Sequence, residues 1–340
     1  MLKINRICVP LTLDCNLHCR YCYRDRERLD EIPDFTLRMI RYLSGVSPSW
    51  CEAVVASGGE PLLRWDRVKE LFSYVPKEVH KKIMSNGTLL TQEMVDYIND
   101  NDIELLVSHD GKETEFFRGV DIMRDGRICG LLRQVRSLTV SCVVTRFNND
   151  VWENFFDTVK CLHRTDFVYI CNPMNNVIPE QDWLVDGFDY DKWCSTSLQF
   201  SMSPFCYKSE WYRGRTLTDT EPHNDRFVGY NVLPDGTVTG MIRIRSVYGT
   251  VDDTREECDR RAFASGLKDR CSETACPYVD RCRATLQSVS EHTCRCNKVQ
   301  MDAETPEHRL EVFDYVNGHL EDIVKKYFDD YEGYLANGKK

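Results

Sequence analysis

Ile7-Cys-Val-Pro-Leu-Thr-Leu13 runs through Asp14 into Cys15-Asn-Leu-His-Cys19-Arg-Tyr-Cys22. The first stretch is apolar and predicts a strand. The second places three thiols, spaced C-x3-C-x2-C, on a short polar loop at that strand's end. Three cysteine thiolates suit three irons of a [4Fe–4S] cluster. The fourth iron then stays open to a substrate or cofactor, which separates a catalytic centre from a closed structural one. The other reading of the loop is structural zinc, with a fourth ligand from His18 or a distant cysteine.

The 340 residues suffice for one large domain or a smaller domain with an appendage, and at 42% hydrophobic they can bury a core. A net charge of −10 argues against a general nucleic-acid binder, which needs a basic surface. Met1-Leu-Lys-Ile leads straight into the first strand, so no export signal is expected. No apolar run is long enough to cross a membrane. Seventeen cysteines without an export signal point to metal or thiol chemistry rather than disulfides, in a reducing cytoplasm.

Outward from the loop, strand-like and helix-like runs alternate. Strands are expected at Ile7–Leu13, Ala53–Ala56, Lys82–Met84, Ile103–Ser108, Leu138–Thr145 and Phe167–Ile170. Helices are expected at Phe35–Ser44, Asp66–Tyr74, Gln92–Ile98, Ile128–Val135 and Val151–Leu162. This alternation predicts an α/β fold with a parallel sheet and helices outside it. The strands end on polar or small residues: Ser57-Gly-Gly-Glu-Pro61, Ser85-Asn-Gly-Thr88, Ser108-His-Asp-Gly111 and Thr145-Arg-Phe-Asn148. Each alone reads as a turn. Together they are what the active-site face of a β/α barrel requires.

The alternation fades after residue 175. Residues 176–240 form an aromatic-rich connecting region with a hairpin expected at Gly229–Thr239, around Leu233-Pro-Asp-Gly-Thr237. Trp183, Tyr190, Trp193, Phe205, Tyr207, Trp211 and Tyr212 either contact substrate or fill a seam. Residues 241–300 are cysteine-rich, and within 301–340 the run Glu307–Leu335 has the apolar spacing of one amphipathic helix. That helix packs on the barrel or docks a partner.

The three-cysteine loop, Tyr21, Ser57-Gly-Gly-Glu-Pro-Leu62, Ser85-Asn-Gly-Thr88 and Ser108-His-Asp-Gly111, in this order, resemble the radical SAM superfamily. The resemblance covers about residues 5–175 and implies a partial (β/α)6, TIM-like barrel over residues 1–175. It implies that Cys15, Cys19 and Cys22 bind a [4Fe–4S] cluster whose open iron is chelated by S-adenosylmethionine, and it sets zinc aside. Gly58 and Gly59 would let the backbone approach the SAM ammonium, and Glu60 would accept its hydrogen bonds. Ser85 and Asn86 would lie beside the cofactor, Ser108 on its carboxylate, Asp110 near the ribose and Tyr21 on the adenine. Arg118 would pair the SAM carboxylate, or else is an ordinary surface arginine.

The later cysteines resemble a degenerate SPASM domain carrying an auxiliary Fe–S cluster. Cys271, Cys276 and Cys282, with Cys294 or Cys296, would hold one such cluster. Met241 stands where the family's hairpin cysteine would be. Zinc is the alternative metal for these cysteines. The resemblance implies reductive cleavage of SAM and hydrogen abstraction from a ribosomally made peptide, with cross-linking, epimerisation or dehydrogenation as outcomes. It implies a reductant such as flavodoxin or ferredoxin, and neither nucleic acid nor membrane as partner. A small-molecule dehydrogenase or mutase is the alternative, and a non-catalytic Fe–S electron carrier the third. The residue that completes catalysis at the substrate is unknown from sequence.

Overall fold

A proline inside the first strand sets up the cysteine loop. In the computed structural model, residues 4–22, 42–43, 45–49, 51–174, 179–206, 228–233, 235–239, 247–268, 291–303 and 305–328 are described. β1 (Ile4–Thr12) pairs in parallel with β2 (Cys51–Gly58), and the register shifts between Pro10 and Thr12. Pro10 has no N–H for the ladder, so regular pairing lapses there. Thr12 then comes opposite Gly58.

The chain continues through α1 (Trp65–Ser73), β3 (His80–Ser85), α2 (Gln92–Asp100), β4 (Ile103–Ser108), α3 (Thr114–Arg118) and α4 (Gly126–Leu132). Next come β5 (Leu138–Val144), α5 (Val151–Leu162), β6 (Val168–Pro173) and α6 (Tyr190–Ser201). They are followed by β7 (Val228–Val232), β8 (Thr237–Thr239), β9 (Val247–Thr250), α7 (Arg255–Lys268), α8 (Glu291–Ala303) and α9 (Pro306–Tyr327). The fold is α/β with parallel strands alternating with helices, as expected from the sequence. The helix expected at Phe35–Ser44 lies mostly outside the described residues.

The chain divides into two compact units that interleave along the sequence. The first comprises Met1–His18, Cys22–Val107 and His223–Ser288; the second Cys19–Tyr21, Ser108–Pro222 and Val289–Lys340. In the first unit β4, β3, β2 and β1 lie side by side in parallel, and β7 adds in parallel to the other edge of β1. β8 and β9 extend that edge as an antiparallel meander, which realises the expected hairpin. Ile7, Val9, Val54, Val55, Ala56 and Ile83 are buried, so the central strands are covered on both faces, as parallel sheets are. α1 buries Val68, Leu71 and Phe72. α2 is capped by the Thr91 hydroxyl, which accepts from Met94 N, and buries Met94, Val95 and Ile98.

In the second unit β5 pairs in parallel with β6. Asp150 caps α5 by accepting from Glu153 N at 3.1 Å, and His163, in the left-handed region at φ 51°, ends it. Trp152, Phe155 and Phe156 on α5 pack with Phe167, Tyr169, Phe200 and Phe205. Trp193 is a buried core residue, and the half-buried Phe205 packs on this aromatic cluster. Tyr207, Trp211 and Tyr212 lie outside the described residues. The expected tail helix is α9, and it packs on α5: Tyr327 donates to Asp150 Oδ2 at 3.0 Å, and Lys160 donates to the Tyr327 carbonyl at 2.7 Å.

Candidate functional site

The first unit contributes a polar cradle. Gly58 has φ 120°, and a Cβ there would meet the Thr12 carbonyl oxygen at 2.2 Å. Only glycine permits this approach. It lets Gly59 N donate to Thr12 O at 2.6 Å, while Glu60 N donates to Asp14 O at 2.8 Å. The Gly-Gly-Glu turn thereby grips the root of the cysteine loop. Glu60 is fully buried. Its Oε1 accepts from Leu62 N at 3.0 Å and Ser85 Oγ at 2.7 Å, and its Oε2 accepts from Asn86 N at 2.7 Å. Asn86 in turn donates through Nδ2 to Asn16 Oδ1 at 2.9 Å and lies 3.8 Å from Cys15 Sγ. Asn16 donates to Thr88 Oγ1 at 2.7 Å. Cys15, Gly59, Glu60, Ser85 and Asn86, expected from sequence to act together, are thus joined in one hydrogen-bonded set. Asn16, Thr12 and Thr88 belong to it too. The signal for Thr88 was its place in the Ser85–Thr88 strand end.

The second unit contributes a buried charged centre. Asp110 is fully buried and Arg118 is 8% exposed. Arg118 donates through Nε to Asp110 Oδ2 at 2.7 Å and through Nη2 to Oδ1 at 3.3 Å. The Tyr21 hydroxyl donates to Asp110 Oδ2, and Val143 N donates to Oδ1 at 2.8 Å. Asp110 N donates to Thr114 Oγ1 at 2.8 Å, and Asn148 Nδ2 donates to the Asp110 carbonyl at 3.2 Å. Burial pushes the Tyr21 hydroxyl well above its ordinary pKa. Burial alone would favour proton loss from Arg118, but the Asp110 charge outweighs it and drives that pKa upward. Tyr21 therefore stays a neutral donor, and Arg118 a cation.

This geometry shows Tyr21, Asp110 and Arg118, expected to touch three parts of a cofactor, engaged with one another. Arg118 is not an ordinary surface arginine. Asn148 had its place in the Thr145–Asn148 strand end, whereas the Val143 N–H escaped the sequence reading because no side chain announces it. His109 was also missed as a structural group. It is fully buried, with Nδ1 2.8 Å from Thr158 Oγ1 and Nε2 3.5 Å from Asp121 Oδ1. Ser108 is half-buried at the end of β4.

The cysteine loop belongs to both units. Cys15 and Cys22 lie in the first and Cys19 to Tyr21 in the second, where Cys19 packs beside Tyr21, Phe117, Met174 and Leu184. Arg20 N donates to Phe117 O at 2.8 Å. The three thiols form no disulfide and are half-buried, whereas Cys51, Cys142, Cys194, Cys206 and Cys258 are buried. Among the described residues no group of three metal-ligating side chains is gathered around a single-ion position. A cubane cluster carries its thiolates at separate corners, so it asks for reachable thiols on one loop rather than converging donors. The donor set fits that group.

Cys271, Cys276, Cys282 and Met241 lie outside the described residues. Cys294 and Cys296 stand on α8, two residues apart and so on roughly opposite sides of the helix, about 200° around its axis. Cys296 is 1% exposed, and its sulfur is 3.7 Å from His292 Nε2. Burial pushes its thiol up to about 12. Cys294 is half-buried.

Residues 9–118 match the family model of the radical SAM superfamily. A probable GTP 3',8-cyclase of Halobacterium salinarum is 26% identical over 158 residues, which are 44% of this chain and 43% of that protein. The chain thus spans less than half the length of that relative. Native anSMEcpe with bound AdoMet shares the fold at a TM-score of 0.68 and 16% identity, over 92% of this chain and 100% of that one. Streptococcus suis SuiB bound to precursor peptide SuiA shares it at 0.61 and 12% identity, over 83% of this chain and 72% of that one. Among the described residues no helix is long and apolar enough to cross a membrane. The thiol loop, the Gly-Gly-Glu turn and the parallel strands that carry them thus lie in a radical SAM domain over residues 9–118, a domain whose cofactors in that superfamily are a [4Fe–4S] cluster and S-adenosylmethionine.

Proposed function

We propose that this enzyme modifies a ribosomally made peptide by hydrogen abstraction. The observation that carries the reading is the fold shared over 83% of the chain with SuiB bound to its precursor peptide. Cys15, Cys19 and Cys22 hold the cluster. When bound, the cluster and SAM together supply a 5'-deoxyadenosyl radical, and the protein supplies position and exclusion of water. Gly58 and Gly59 bring backbone close to the methionyl end of SAM, and Glu60 orients its ammonium. Ser85, Asn86 and Ser108 line the cofactor. Tyr21, Asp110 and Arg118 hold the loop and the adenosyl side in place. No residue is assigned as the final proton or hydrogen donor.

Residues 1–175 form the catalytic barrel, 176–240 the connection, 241–300 the degenerate SPASM-like domain and 301–340 the closing helix. One auxiliary cluster is held by Cys271, Cys276 and Cys282 with Cys294 or Cys296. The protein works in the cytoplasm with flavodoxin or ferredoxin as reductant. Kinship with a GTP 3',8-cyclase supports a second reading, a small-molecule mutase or dehydrogenase. Deuterium transfer separates the two. A deuterated peptide is expected to pass label into 5'-deoxyadenosine; label from a small molecule and none from peptides would establish the second reading.

A further inference from the structure

Phe116, Phe147 and Trp183 are 39%, 41% and 37% exposed. Their rings nevertheless meet, with centroids 5.6 Å apart for Phe116 and Phe147, 6.2 Å for Phe116 and Trp183, and 6.0 Å for Phe147 and Trp183. Single apolar residues on a surface need no explanation, but a contiguous aromatic face does. All three belong to the second unit and come from three separate connections. Phe116 follows β4 on α3, Phe147 follows β5, and Trp183 follows β6 in the short helix Pro179–Leu184. Connections leaving the C-terminal ends of parallel strands are where β/α barrels gather substrate. Beneath the face, Phe117 is 1% exposed, with its centroid 5.2 Å from Phe116 and 5.6 Å from Tyr21. The face is thus continuous with the Asp110 centre.

Two guanidinium groups lie on these rings. Arg20 sits 4.2 Å from the Phe116 centroid and Arg146 4.6 Å from that of Phe147. Arg20 Nε donates to Phe116 O at 2.8 Å, and Arg146 Nη1 donates to Asp186 O at 3.1 Å. Neither is paired with a carboxylate among the described residues, although Glu115 and Asp182, next to Phe116 and Trp183 in sequence, are exposed. An arginine stacked on a ring keeps a planar fork that matches a carboxylate.

We propose that this aromatic face seats the substrate peptide, and that it takes a segment in which an aromatic or large aliphatic side chain stands beside a carboxylate. The proposal rests on the peptide reading above. The net charge of −10 by itself favours basic ligands, whereas the two stacked guanidinium groups offer this face donors that match a carboxylate. Rings with few rotatable bonds offer large contact area at small entropic cost.

Two synthetic peptides serve as probes, acetyl-Phe-Asp-Gly-Phe-Asp-amide and acetyl-Phe-Lys-Gly-Phe-Lys-amide, titrated calorimetrically into the full-length, cluster-loaded protein with SAM. The acidic peptide is expected to bind about tenfold tighter than the basic one, and Trp183→Ala or Phe147→Ala to weaken it about tenfold. Trp183→Phe, which keeps a ring and preserves packing, should retain most of the affinity. Arg20→Gln with Arg146→Gln should erase the preference between the peptides. Equal affinities in the native protein, no binding of either peptide, or unchanged affinity in both alanine variants would overturn the inference. So would variants that change self-association in sedimentation, or reduction by flavodoxin, while leaving peptide affinity intact. A peptide that passes deuterium into 5'-deoxyadenosine while ignoring these variants defeats this inference alone; label from a small molecule defeats the peptide reading beneath it.

Discussion

Glu60 and Asp110 are both fully buried carboxylates at strand ends, one in each unit. They are satisfied by different chemistry. Glu60 is held by neutral donors: two backbone N–H groups and the Ser85 hydroxyl. Asp110 is held by the Arg118 cation, the Tyr21 hydroxyl and one backbone N–H. The first arrangement is a bracket that aligns a turn. The second neutralises its charge internally and holds Tyr21 in place within its own unit. Two buried carboxylates at strand ends look the same in sequence; their partners tell them apart.

The sharpest way to separate loop chemistry from scaffold is to remove the thiols. Replacing Cys15, Cys19 and Cys22 together by Ala should abolish formation of 5'-deoxyadenosine under dithionite. The unfolding midpoint of the metal-free protein should hardly move, because Asn86 lies 3.8 Å from Cys15 Sγ but is anchored independently to Glu60. A triple variant that still cleaves SAM would break the assignment of these thiols.

Asp110→Ala tests the second arrangement. It strands Arg118, which is 8% exposed, and removes the acceptor of Tyr21. Losing one partner of a buried ion pair costs about 3–5 kcal/mol. Urea unfolding of the metal-free protein should show that loss, and Asp110→Ala with Arg118→Met should recover part of it. A cost below about 1 kcal/mol would place the pair among solvent-screened surface bridges instead.

Glu60→Ala should act on the ligand as well as on the turn whose donors it leaves unpaired. Losing a hydrogen bond to a charged group costs about 1.5–3 kcal/mol, or roughly 10–150-fold in SAM affinity by calorimetry. Unchanged affinity would reduce Glu60 to the same kind of structural carboxylate as Asp110 and collapse the contrast between them.

Much of this was legible because local rules and global fold agree. The β1–β6 alternation follows from apolar runs bounded by turn residues, and α5 falls on the expected Val151–Leu162 because Asp150 caps a clean period. α6 was not read. Its buried Trp193, Cys194, Thr196, Leu198 and Phe200 are interleaved with Ser and Thr, which blurs the apolar stripe. The Pro-Asp-Gly turn announced the hairpin, but not that β7 pairs in parallel with β1, since such distant pairing leaves no local mark. At the site, motif spacing located Glu60, Asn86 and Asp110. It assigned Tyr21 and Arg118 to a cofactor and could not show that both meet Asp110, because hydrogen-bond partners are chosen in space.

The mildest test falls on the edge of the bracket. Asn16 is exposed, accepts from Asn86 Nδ2 at 2.9 Å and donates to Thr88 Oγ1 at 2.7 Å. Water can replace both bonds, so Asn16→Ala should cost only about 0.5 kcal/mol in stability, the low end for a net hydrogen bond. Asn86 keeps its bond from N to Glu60 at 2.7 Å, so the bracket itself survives. What changes is the tether on the loop one residue beyond Cys15. Amide hydrogen exchange of the segment from Leu13 to Leu17 should quicken, while that of β1 and of the Glu60 turn stays as it was. If the Glu60 turn also opens, the bracket depends on the loop rather than the reverse, and its order of assembly must be inverted.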